Sequence, residues 1–142
     1  MISFENGKKF GFSMRLVTTG KENVPFITTT IRYQDRSEPV IGKVDTGAFR
    51  TILNRETADI LGIELPPDDS PDAKKARTAT GKSFKYFEYS IYFCFSNKQG
   101  EPLTFPVRAG FSRKIVNNLF GVDWLNYVCL GIDKESIHLL KD

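Results

Sequence analysis

The chain has 142 residues, which allows one domain with an ordinary core and is too short for a two-lobed enzyme built from a duplicated domain. A hydrophobic share of 40%, with 12 Phe and 5 Tyr, packs a core and excludes bulk disorder. The 20 basic and 17 acidic residues leave a net charge of +3 with the basic groups scattered, so no nucleic-acid partner is expected.

Residues 1–24 read as a lead-in segment. Glu5, Lys8, Lys9 and Arg15 interrupt its apolar residues, so neither a signal peptide nor a membrane span is expected and the expected location is cytoplasmic. Residues 26–33 are rich in β-branched and aromatic types and predict a strand; 34–39 read as a polar turn, and 40–44 as the next strand. That strand runs directly into Asp45-Thr46-Gly47-Ala48.

A short β-branched segment around Thr51, Ile52 and Leu53 follows. Asn54 is placed to cap a helix carrying Ala58 and Leu61, which Gly62 ends. Residues 66–77 hold three prolines and then Lys74, Lys75 and Arg77, the composition of a surface loop whose basic run is solvated. Residues 78–95 predict a hairpin with its tip near Thr80 and Gly81. Seven aromatics between Phe84 and Phe95 are expected mostly in the core. Further strands are predicted over 103–108, 128–132 and 137–140, with an apolar run over 114–120 that Gly121 ends. Asp123 reads as the cap of one helical turn holding a core Trp124 and Leu125. Many short strands with one short helix and one helical turn give an all-β domain of barrel type spanning 1–142.

Cys94 and Cys129 stand 35 positions apart in apolar surroundings and read as buried free thiols, with a disulfide left open. His138 has no neighbouring carboxylate or cysteine pair and reads as a packed or surface residue, so no metal site is expected.

The tetrapeptide at 45–48 carries the chemistry. A carboxylate ending an apolar strand is costly unless it is paired or used. A plain β-turn is the bland alternative, since Asp and Gly are common turn residues. The late Leu119-Phe120-Gly121 element, the spacing of Thr51 after Ala48, the helix ending at Leu61-Gly62-Ile63 and the glycine-bearing hairpin weigh against it. With these residues the sequence resembles the retropepsin-like aspartic proteases over about 26–140.

The resemblance implies a closed or partly closed barrel of acid-protease type and assigns roles by position. Asp45 would be catalytic, Gly47 would let the backbone approach closely, and the Thr46 hydroxyl would bond across to the other subunit's turn. Ala48, Leu119, Phe120 and Gly121 would support the catalytic loop, and Thr78, Ala79, Thr80, Gly81 and Lys82 would form a flap over a polypeptide substrate. One Asp-Thr-Gly per chain requires a homodimer, with a water held between two Asp45 carboxylates and no cofactor. Where retroviral relatives pair an acidic residue with an Arg to support the dimer, this chain has Phe49 and Val122, read as an apolar replacement. The rival reading is a catalytically inactive dimerisation or peptide-binding module of the same fold, and a weaker third is a nucleic-acid-binding β-barrel.

Overall fold

The computed structural model describes residues 12–15, 17–19, 22–78, 80–96, 100–132 and 136–140. The elements in chain order are β1 (Phe12–Arg15), β2 (Val17–Thr19), β3 (Glu22–Tyr33), β4 (Arg36–Val44), β5 (Ile52–Asn54), α1 (Arg55–Ile60), β6 (Lys74–Arg77), β7 (Ser83–Ser96), β8 (Pro102–Ser112) and β9 (Asn118–Phe120). A 3₁₀ turn (Val122–Asn126), β10 (Cys129–Ile132) and β11 (Ser136–Leu140) complete them.

Six strands close on one another. The order β3-β4-β9-β5-β8-β7 is completed by antiparallel pairing of β3 with β7, at Thr30↔Cys94 through Arg32↔Tyr92. Closure pairs these six strands with one another and leaves fewer open sheet edges. β1, β11 and β10 form a separate three-stranded sheet with β11 in the middle. Among the described residues no helix is long and apolar enough to cross a membrane.

Period-two alternation builds the core. On β8, Leu103, Phe105, Val107 and Ala109 are buried while Pro102, Thr104, Pro106 and Arg108 are exposed. On β7, Ile91, Phe93 and Phe95 face inward in the same way. Trp124 closes the barrel end, with its ring 4.7 Å from Phe93 edge-on and 5.1 Å from Phe120 stacked. Each such fully buried ring contributes roughly 1.5–3 kcal/mol over an exposed one. The expected core placement of the aromatics holds.

Several boundaries differ from the sequence reading. The turn after β3 is only Gln34-Asp35, with Gln34 at φ 52, and Arg36 to Pro39 are already strand. Pro39 is tolerated because β9 pairs only with Gly42 to Val44, so that among the described residues no strand pairs with the far edge of β4 beside Pro39. Lys74 to Arg77 are strand β6, not loop, because their backbone pairs with β7 from Lys74↔Tyr86 to Arg77↔Ser83. The lead-in is partly built into the sheets: β1 pairs with β11 and β2 with β3, while residues 1–11 lie outside the described residues. Cys94 and Cys129 are free and half-buried rather than buried. The helix matches its signals: the Asn54 side chain accepts from Thr57 N at 2.9 Å, and Gly62 follows the end at φ +73.

Candidate active site

Strand β4 delivers Asp45 to the end of the barrel, and β9 runs parallel beside it, pairing Val44 with Phe120. The pairing continues into the turn, where Asp45 N donates to Phe120 O at 2.9 Å. Ala48 N then donates to Asp45 O at 3.0 Å, and Gly47 N to Asp45 Oδ1 at 2.9 Å, so the carboxylate caps its own turn. A Cβ on Gly47 would sit 3.2 Å from Asp45 Oδ1, a tight contact that the carboxylate would have to shift by a few tenths of an ångström to relieve.

The second wall of the loop is Gly121. A Cβ there would lie 2.4 Å from Arg50 C and 2.5 Å from Arg50 O, both immovable backbone atoms. Only glycine lets this strand end lie against the Asp45 loop. The two segments are joined by Val122 N donating to Ala48 O at 3.1 Å. Thr51, fully buried, locks the contact: its N donates to Asp123 Oδ2 and its Oγ1 to Asp123 Oδ1, each at 2.8 Å, while Oγ1 accepts from Gly121 N at 3.2 Å. Asp123 is therefore not the helix cap expected from sequence. The 3₁₀ turn begins at Gly121 with no side-chain cap, because both Asp123 oxygens are taken by Thr51.

Above the turn stands the β6–β7 hairpin. Gly81 N donates to Thr78 O at 2.9 Å and Thr78 N to Lys82 O at 2.8 Å, with Gly81 at φ +86, a conformation glycine adopts without strain. Between hairpin and turn lies a cleft of about 370 Å³. Asp45, Gly47, Ala48, Phe49 and Arg50 line its floor, Ile52, Ile115 and Leu119 its apolar wall, and Ala76, Arg77, Thr78 and Phe84 its hairpin side. Asp45 is the one carboxylate lining it among the described residues.

The cleft thus brings Asp45, Gly47, Ala48, Leu119 and Thr78 together. Phe120 and Gly121 are buried behind the turn, and Thr46 is exposed beside it. Thr80, Gly81 and Lys82 form the exposed hairpin tip and do not line the cleft of a single chain; Ala79 lies outside the described residues. Phe49 is 94% exposed, immediately after the turn.

A residue missed in the sequence is Glu88, whose side chain is only 7% exposed and is reached by Arg50, Lys74 and Arg108. Burial pushes its carboxyl up, but hydrogen bonds from Arg108, Arg50 and Lys74 outweigh burial and bring it down to about 2. No local motif marks it, because its partners stand 38 and 20 positions away in Arg50 and Arg108.

The architecture matches solved structures. The retropepsin-like aspartic protease from Rickettsia conorii superposes with a TM-score of 0.57 at 17% identity, over 91% of this chain and 98% of that one. The fold is retropepsin-like. The EIAV protease complexed with the inhibitor HBY-793 matches with a TM-score of 0.47 at 18% identity, over 78% of this chain and 92% of that one. No family model and no curated protein matches the chain by sequence.

Proposed function

We propose that the chain is an aspartic endopeptidase that acts as a homodimer. The observation that carries this reading is Asp45 held on a doubly braced turn at the floor of a cleft beneath a hairpin, with no second carboxylate lining that cleft among the described residues. Hydrolysis of an amide by this chemistry needs two carboxylates, so the second comes from a copy related by a two-fold axis. Two facing carboxylates cannot both ionise cheaply and share one proton, the behaviour of aspartic-protease dyads carried over to this pair. The ionised one takes a proton from a bound water while the protonated one donates to the scissile carbonyl. The oxygen of that water bonds to the carbonyl carbon; the carboxyl that took the water's proton then gives it to the nitrogen as the C–N bond breaks, and the other carboxylate recovers its proton from the diol oxygen, releasing acid and amine.

A two-fold axis at Asp45 also accounts for Phe49. A ring left almost fully in water four residues from the site is buried once a second turn packs against it, in the place of a charge pair. Extended polypeptide is the substrate class that the cleft suits, lying between floor and hairpin as an added strand.

The test is Asp45→Asn. The isosteric amide keeps an oxygen for Gly47 N, so thermal stability and dimerisation stay near wild type while peptide cleavage is abolished. Cleavage surviving in this variant refutes the assignment.

A further inference from the structure

The acid–base chemistry of Asp45 makes no use of the charge cluster that Arg50, on the cleft floor, forms with Glu88, Lys74 and Arg108. Arg50 and Lys74 meet Glu88 Oε1, the latter at 3.0 Å, and Arg108 Nε meets Oε2 at 2.5 Å. One carboxylate faces three cations, so the cluster keeps an excess of positive charge. Lys74 and Arg108 are more than half exposed and their excess is dissipated in solvent. Arg50 differs from both. Its side chain is 36% exposed, it lines the cleft beside Asp45, and its guanidinium lies 5.4 Å from the centre of the Tyr86 ring. Glu88 bonds one terminal nitrogen of a group that carries five N–H donors in a rigid fork.

We propose that Arg50 is a specificity-determining residue that makes the cleft select peptides with an acidic side chain near the scissile bond, with Glu88 and Tyr86 fixing the guanidinium in place. This rests on the endopeptidase reading. A cation already ordered by the fold loses little rotamer entropy when it binds a carboxylate, which is where an ion pair on a partly shielded cleft floor gains over one at an open surface. Arg77, on the hairpin side of the same cleft, adds a second positive charge. The wall of Ile52, Ile115 and Leu119 takes an apolar side chain of the same peptide. Because a two-fold dimer presents Arg50 twice, the acidic preference falls on both sides of the cleaved bond.

The experiment compares matched peptides, apolar around the bond, in which Glu or Gln is scanned through each flanking position. The wild-type dimer is expected to favour Glu by about fivefold in kcat/KM at the best position, with the advantage shrinking as salt rises. In Arg50→Gln the Glu:Gln ratio falls to about one, and in Arg50→Lys, which keeps the charge without the fork, it is intermediate. Glu88 retains Lys74 and Arg108 in these variants, so no buried charge is left alone to unfold them. The same peptide pairs are titrated against Asp45→Asn, with and without Arg50→Gln, by fluorescence anisotropy. Equal rates for Glu and Gln at every position, or a ratio unchanged in Arg50→Gln, overturn the role of Arg50. Arg50-dependent preference in binding with no cleavage by wild type supports Arg50 as an acid-recognising residue and overturns the endopeptidase reading instead.

Discussion

Replacing Gly121 by alanine probes the brace beneath Asp45 directly. The new methyl group would stand 2.4 Å from Arg50 C and 2.9 Å from Ala48 O, whereas ordinary contact begins at 3.4 Å. One segment must therefore retreat by about 1 Å, and the atoms in the way are backbone rather than a side chain that can rotate. Such overpacking costs about 1–3 kcal/mol. At ~3 °C per kcal/mol for a domain of this size, Tm falls by roughly 3–9 °C. The displaced segment carries Ala48, whose N–H closes the Asp45 turn, and a 1 Å error at the reacting group costs about 100-fold in rate. Differential scanning calorimetry and kcat/KM on one peptide read the two effects. Gly100→Ala is the control: nothing lies within 4 Å of its added Cβ, but φ is +76, so strain of about 1–2 kcal/mol lowers Tm while kcat/KM stays put. Wild-type Tm together with wild-type kcat/KM in Gly121→Ala refutes the bracing argument.

Two further variants test the surrounding network. Thr51→Val keeps the shape but leaves Asp123 Oδ1 and Gly121 N without their hydroxyl partner, a loss of about 2–4 kcal/mol in urea unfolding; a loss under about 0.5 kcal/mol contradicts the network. Glu88, lowered from 4.5 to about 2, binds fewer protons folded than unfolded across that window, so its stabilisation is complete above pH 4.5 and is lost as pH falls toward 2. The gap in urea midpoint between wild type and Glu88→Gln shrinks over that range, and a gap that stays constant down to pH 2 contradicts the assignment.

The sequence revealed what neighbours in the chain enforce. Asn54 and Gly62 mark the helix because capping is local, and the alternation of Leu103, Phe105 and Val107 marks a barrel strand because side chains alternate with the pleat. The Asp45 turn was visible for the same reason: a carboxylate, a hydroxyl and a glycine in sequence after an apolar strand. Composition misled where backbone pairing decides. Lys74 to Arg77 look like a solvated loop, yet each residue pairs with β7 without needing an apolar side chain. Arg36 to Pro39 look like a turn, yet the reversal is complete in two residues. Asp123 looked like a cap because its true partner, Thr51, stands 72 positions away, and the Glu88 cluster was invisible on the same ground.

If two Asp45 carboxylates from two chains form one site, subunit mixing reveals it. Wild type is combined with Asp45→Asn in rising proportion at constant total protein, under conditions where subunits exchange freely. If both carboxylates are needed, activity follows the square of the wild-type fraction, and an equal mixture retains about a quarter of the starting rate. Activity that falls only in proportion to the wild-type fraction means one chain suffices, and contradicts the account.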